Sequence, residues 1–391
     1  MNSEEREKIT AIGETNFRHY RSRFGIKRAD RRAHMYVIGK TGTGKSTLIA
    51  NLARQDMAHG EGLALLDPHG DLVEELAGGV PEERKADLVY FNVADAAHPL
   101  AFNPLEATEA AARPLVASGL ISVFKKMWPE SWGPRMEYIL RNVLLALLDQ
   151  PESTLLDVPR LFDDPDFRSY VMSRVQNTEV RRFWLREYQK YPARFRAEAI
   201  SPIQNKIGEF LVNPFLRRIV GQPKSAFNLR ELMDQGKILL VNLTKGKIGE
   251  DTAALLGAML VTKLGLAALS RAEMAEPARR DFYLYVDEFP SFTTTSFATM
   301  LSEMRKYRLN LILAHQHLTQ IDEQVRDAIF GNVGTLIAFR VGASDAEVLE
   351  KELQYRFTAD DLVNLPNHHI YLRLMIDGVM SPPFSAVTVK P

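Results

Sequence analysis

The chain has 391 residues with 46% hydrophobic content, enough for one large or two ordinary globular domains and too apolar for a disordered protein. Lys plus Arg and Asp plus Glu each total 49, so the net charge is zero, and any nucleic-acid contact must come from local patches. There is no cysteine, which excludes disulfides, thiolate nucleophiles and zinc-thiolate sites and fits a reducing, cytoplasmic setting.

Residues 1–33 are polar and open on the charged run Met1 to Lys8, where a secretory signal would need an apolar core, so no export is expected. Arg18, Arg21, Arg23, Lys27, Arg28, Arg31 and Arg32 crowd this segment, which reads as a basic N-terminal arm. It is either a solvated helical arm or a surface for nucleic acid or a partner.

Met35 to Ile38 is a strand-like apolar run, followed at once by Gly39-Lys40-Thr41-Gly42-Thr43-Gly44-Lys45-Ser46-Thr47 and then an apolar helical segment from Leu48. That is a complete phosphate-binding loop in strand-loop-helix context. Its glycines let successive N–H groups converge on phosphate oxygens at a helix N-terminus. Lys45 would reach the β- and γ-phosphates and the Ser46 hydroxyl would bind Mg²⁺, which makes ATP with Mg²⁺ the expected ligand pair.

Further strand-like runs follow at Leu63 to Leu66, Leu88 to Phe91, Ile238 to Leu243, Phe282 to Val286, Leu309 to Ala314 and Thr335 to Phe339. Most are apolar on both faces and separated by helical patterns, which indicates an α/β fold with a largely parallel sheet covered on both sides. Ile370 to Ile376, Asp377-Gly378 and Val379 onward read as a C-terminal antiparallel hairpin, with Pro382 and Pro383 confining its second arm to an edge. Between Pro104 and about Arg230 the strand signal vanishes and prolines punctuate what reads as several helices. The expected division is an arm (1–33), an α/β domain (34–103 and 232–391) and an inserted all-helical subdomain (104–231). Tyr138 to Leu148 and Leu255 to Leu269 are apolar, but they contain Arg141 and Lys263 and fall short of the ~20 residues that span a bilayer.

Each strand end carries candidate chemistry. Asp287 and Glu288 close the run Phe282 to Val286 as a Walker B element, Asp287 for Mg²⁺ and Glu288 to polarise the attacking water. Gln316 follows Leu309 to Ala314 and is a candidate sensor of the γ-phosphate or the water. His315 and His317 alternate with it and read as packing or surface residues. Asp67, before Pro68 and Gly70, either orients the nucleotide site or belongs to a turn. Arg305 and Arg340 are the candidates for an arginine lent to a neighbour's γ-phosphate. Lys245 and Lys247 are candidate DNA contacts or ordinary loop lysines.

The motifs Gly39 to Thr47, Leu65 to Asp71, Val286-Asp287-Glu288, Ala314-His315-Gln316 and Gly331 to Thr335, in this order, resemble the HerA-FtsK superfamily of DNA-pumping ATPases, and within it the TraG/TraD-type coupling proteins of conjugative type IV secretion. The resemblance implies a RecA-like motor acting as a ring, usually a hexamer, with ATP between subunits and DNA in the channel. It also implies Arg305 as the trans-acting arginine and a secretion-channel, relaxase or nuclease partner. Coupling proteins of that family usually carry N-terminal transmembrane helices. Finding none here, the reading is a cytoplasmic relative, or one that docks at a membrane complex through a partner.

An ATP-driven DNA translocase is therefore the leading expectation. A HerA-like ATPase working with a nuclease or effector in DNA processing or defence is the second. A nucleotide-switched assembly protein is the third, and Glu288 argues against it. A small-molecule kinase would need neither the helical insertion nor the Gln316 strand.

Overall fold

The computed structural model describes residues 8–17, 21–106, 109–294 and 296–389, and of the basic run near the N-terminus Arg18 lies outside them. The chain forms two compact units, one from residues up to Phe91 with Leu229–Asn242 and Ala267 onward, the other from Asn92–Asn228 and Leu243–Leu266. The helical unit thus begins earlier than 104 and includes a late segment assigned from sequence to the α/β domain.

The first unit is built on an eleven-stranded sheet. Its strands are β1 (Ile9–Thr15), β2 (Arg23–Lys27), β3 (Met35–Ile38), β4 (Gly62–Asp67), β5 (Leu88–Asn92), β6 (Ile238–Asn242), β7 (Phe282–Val286), β8 (Leu309–His315), β9 (Thr335–Ala338), β10 (His369–Arg373) and β13 (Phe384–Thr388). The short β11 (Met375–Ile376) and β12 (Val379–Met380) pair only with each other. The order across the large sheet is β2-β1-β13-β10-β9-β3-β8-β7-β4-β6-β5. From β9 through β6 every pairing is parallel. β3, β4, β6, β7, β8 and β9 are buried at every position, which is why they read in sequence as unbroken apolar runs.

On the other side of β9 the sheet turns antiparallel through β10, β13, β1 and β2. Here two expectations are corrected. The arm of residues 1–33 is, over its described part, mostly a β1–β2 hairpin, with Ile12 and Ile26 in the core. Arg23, Arg28, Arg31 and Arg32 are engaged within the unit. Arg28 pairs with Glu61 at 2.7 Å, Arg32 with Asp281 at 2.8 and 2.9 Å, and buried Arg31 donates to Asp56, Thr10 and Tyr285. Second, β13 is an inner strand, because β1 covers the side that would have been its edge. Pro382 and Pro383 precede its first residue, where no ladder N–H is needed. The Asp377-Gly378 turn joins β11 to β12, with both residues left-handed (φ 51 and 79°), as a two-residue hairpin turn requires.

The second unit is helical, with Arg113–Met127, Pro134–Leu148, Pro165–Arg174 and Ala193–Val212 among its longer helices. Pro114, Pro134, Pro165 and Pro214 sit in first turns, where a missing N–H costs nothing. Pro202 lies inside Ala193–Val212 and ends no helix. The buried Trp184 ring centres an aromatic cluster, 4.8 Å from Tyr188, 5.2 Å from Phe183 and 5.9 Å from Phe162. Among the described residues, one helical run, Glu250–Glu273, is long and apolar enough to cross a membrane, and 72% of its most apolar window is buried within the protein.

Candidate nucleotide site

β3 ends between the C-terminal ends of β8 and β9, and the loop after it is tied to both. Gly39 N–H donates to His315 O at 3.2 Å and Lys40 N–H to Arg340 O at 2.8 Å. A Cβ at Gly39 would lie 2.5 Å from Phe339 Cβ, so only glycine fits. Gly42 and Gly44 take positive φ (75 and 117°), turning the chain into helix α1 (Lys45–Ala58). No side chain caps α1, and the amides of its first turn remain available to an anion. Thr43 Oγ1 braces the loop on Lys40 O at 2.7 Å. The Lys45 ammonium folds back onto the carbonyls of Gly39 (2.5 Å) and Lys40 (3.2 Å). Burial lowers its pKa, and the Asp287 and Glu288 carboxylates oppose that shift.

β7 delivers the acidic pair to the same rim. Asp287 is buried, and its pKa is pushed up to about 7 by desolvation first, then by Glu288 and Asp67, against the pull of Lys45. Glu288 holds a left-handed backbone (φ 48°, ψ 46°), unusual for a side-chain-bearing residue and of the kind found at functional turns. From the end of β8, Gln316 Nε2 donates to Glu288 Oε1 at 2.6 Å, while Thr41 Oγ1 donates to Gln316 Oε1 at 2.7 Å. Thr41, Gln316 and Glu288 thus form a chain linking phosphate loop, β8 and β7. Lys45, Ser46, Asp287, Glu288 and Gln316 line one cavity of about 220 Å³.

Other candidates fall elsewhere. Both Asp67 oxygens accept backbone N–H groups, from His69 (2.8 Å) and from Leu72 and Val73 (2.9 and 3.3 Å). It fixes the entry to helix α2 (Asp71–Gly78), and its charge helps to raise the Asp287 pKa. Arg305 is exposed in the turn before β8, at the opposite end of that strand from Gln316. Arg340 lies beside the loop, but its guanidinium is held by Leu365 O (3.2 Å) and Asn367 Oδ1 (2.9 Å). His315 is buried against Tyr36 Oη, and desolvation pushes its pKa down to about 3. His317 Nδ1 stands 3.3 Å from Asp345. In the helical unit, Lys245 and Lys247 are exposed on the short helix Lys245–Ile248.

Two cavity residues escaped the sequence reading, His69 and His368. Asn367-His368-His369 at the start of β10 was the available signal, but nothing in that string points to the phosphate loop. Among the described residues no group of three His, Cys, Asp or Glu could hold a metal unaided. A hydroxyl and one or two carboxylates suit Mg²⁺, which keeps waters and takes its remaining oxygens from phosphates.

A family model described as the type IV secretion-system coupling protein DNA-binding domain matches residues 24–355. No curated protein matches the sequence. Among solved structures, the unbound bacterial conjugative coupling protein TrwBdeltaN70 superposes with a TM-score of 0.64 at 16% identity, covering 98% of this chain and 89% of that one. TrwB in complex with ADP and Mg²⁺ gives 0.64 at 16% identity, over 99% and 91%. VirB4 of Thermoanaerobacter pseudethanolicus gives 0.66 at 15% identity, over 98% and 97%. At these identities the likeness is one of fold.

Proposed function

Because the chain belongs to the type IV secretion-system coupling protein DNA-binding domain family, we propose that it is a P-loop ATPase whose turnover moves DNA through a ring of its own subunits. The observation that carries the ATPase reading is the convergence of Lys45, Asp287, Glu288 and Gln316 on one cavity from three separate strand ends. TrwB, similar in fold, is described with non-hydrolysable GTP and ATP analogues and with ADP and Mg²⁺, which supports the same ligand class here.

The loop amides from Thr41 to Thr47 cradle the phosphates, and Lys45 leaves its carbonyl partners to reach the β- and γ-oxygens. Ser46 and Asp287 would hold Mg²⁺, which when bound would supply positive charge against the phosphoryl oxygens. Glu288 accepts the proton of the attacking water, and Gln316 orients that carboxylate and the water. Arg305 serves the site of the next subunit, and the coupled polymer is DNA. The protein works on the cytoplasmic side, where ATP is supplied, with the secretion channel or relaxase as partner.

The test is ATP hydrolysis by wild type, Lys45→Ala and Glu288→Gln, with and without single- and double-stranded DNA. Each variant is expected to lose at least about 10²-fold in turnover, and DNA is expected to stimulate the wild type. Full activity in both variants would remove the site; DNA-independent turnover would remove the DNA motor and leave the ATPase.

A further inference from the structure

We infer that His368 is the residue against which the nucleoside of the bound nucleotide packs, an inference that rests on the ATP-site reading above. His368 precedes β10 with a left-handed backbone (φ 64°), a conformation costly for a residue with a side chain unless its surroundings impose it. They do so from both sides. Its N–H donates to Thr43 O in the phosphate loop at 2.8 Å, and its carbonyl accepts the N–H of Thr388 in β13 at 2.9 Å. So clamped, the backbone brings the imidazole over the loop: a Cβ at Gly44 would lie 2.7 Å from His368 Nδ1. The ring lines the cavity, is exposed to solvent, and makes no hydrogen bond with any described residue.

The sheet order assigns its partner. The groups that define the γ-phosphate end, Asp287, Glu288 and Gln316, follow β7 and β8, on one flank of β3. β9 and then β10 stand on the other flank, and His368 approaches the loop from there. A triphosphate is a linear chain, so with its γ-phosphate at Glu288 its sugar and base leave the loop on the far side. His69, the other unassigned cavity histidine, follows β4 beside β7 and therefore belongs to the γ-phosphate flank. A flat, partner-free imidazole suits the face of a purine. Such stacking uses the ring face and not the hydrogen-bonding edge, and so gives binding without strong choice between adenine and guanine.

The experiment is calorimetric binding of Mg²⁺ with ADP and, separately, of Mg²⁺ with inorganic tripolyphosphate, to the full chain as wild type, His368→Asn and His368→Gly. Asparagine and glycine both tolerate the positive φ, and retained tripolyphosphate binding reports an intact loop. Both variants are expected to bind ADP roughly three- to tenfold more weakly, with tripolyphosphate affinity unchanged. Wild-type ADP affinity in the variants, or an equal loss for tripolyphosphate, would overturn the inference. Wild-type protein that binds neither ligand would remove the nucleotide site itself and this inference with it.

Discussion

At the scale of single residues, the chain from Thr41 through Gln316 to Glu288 makes the orientation of the Gln316 amide depend on a hydroxyl of the phosphate loop. An amide can rotate to exchange its oxygen and nitrogen. The Thr41 donor to Oε1 at 2.7 Å fixes Nε2 toward Glu288. Thr41→Val should therefore lower kcat about fivefold with KM nearly constant, while Thr41→Ser should restore it. Unchanged kcat in Thr41→Val would show that Gln316 needs no such support. A second expectation concerns His34, whose Nδ1 accepts Leu311 N–H at 3.1 Å and whose Nε2 lies 3.1 Å from Leu301 O. Burial lowers its pKa from 6.5 to about 4, so between those values the unfolded chain takes up a proton that the native state refuses. Its contribution to stability is complete above pH 6.5 and is lost as pH falls toward 4. His34→Asn, which keeps a side chain on the same backbone (φ 62°, ψ 164°), should destabilise by roughly 1–2 kcal/mol at pH 7.5. Urea titrations should show that deficit shrinking between pH 6.5 and 5; a deficit constant with pH would contradict the assignment.

At the scale of elements, the strands that carry the site were legible because burial on both faces forces each to be an apolar run, and the chemistry follows directly at its end. Gly39 to Thr47 after β3, Asp287-Glu288 after β7 and Gln316 after β8 are three instances of that rule. β1 and β2 were not legible, because each has few fully buried positions and their charged residues form ion pairs that only the folded unit reveals. Helix Glu250–Leu269 falls as far as Leu266 in the helical unit, not the α/β unit expected from sequence, and for the opposite reason: a helix apolar all round carries no stripe to say which core it joins. His368 was invisible because its place in the cavity depends on two main-chain hydrogen bonds and a left-handed φ, none of which its side-chain type encodes. The buried Arg31 network shows what that hidden layer supplies. It ties the segment before β3 to Asp56 near the end of α1, to Tyr285 in β7, and to Thr10 in β1, with the guanidinium 3.8 Å over the Tyr283 ring. Asp56→Asn leaves that cation buried without its counter-charge and should cost about 3–5 kcal/mol in urea unfolding. The double change Arg31→Met with Asp56→Leu should cost less than Asp56→Asn alone; a larger cost would mean that the ion pair itself, and not the uncompensated charge, holds these elements together.

At the scale of the whole molecule, the position of Arg305 sets a condition on assembly. Arg305 lies before the first residue of β8 and Gln316 directly after its last. Seven strand residues at ~3.3 Å each separate them by about 20 Å, too far for Arg305 to touch a nucleotide held by its own subunit. Arg340 is nearer, yet its hydrogen bonds to Leu365 and Asn367 hold it within its own subunit. If Arg305 completes the site, it must do so across a subunit boundary, and turnover per subunit should then rise with protein concentration. Mixing gives the sharper test. Lys45→Ala subunits cannot use ATP but still offer Arg305, whereas Arg305→Ala subunits bind ATP but lend nothing. Each variant alone should be nearly inactive. In an equal mixture assembling at random, about one interface in four joins an intact Lys45 to a neighbour's intact Arg305, so about a quarter of wild-type turnover should return. Replacing Arg305→Ala by Arg340→Ala in the mixture should give no comparable gain. Activity of the first mixture no greater than the sum of its parts would exclude Arg305 as the residue that one subunit lends to the next.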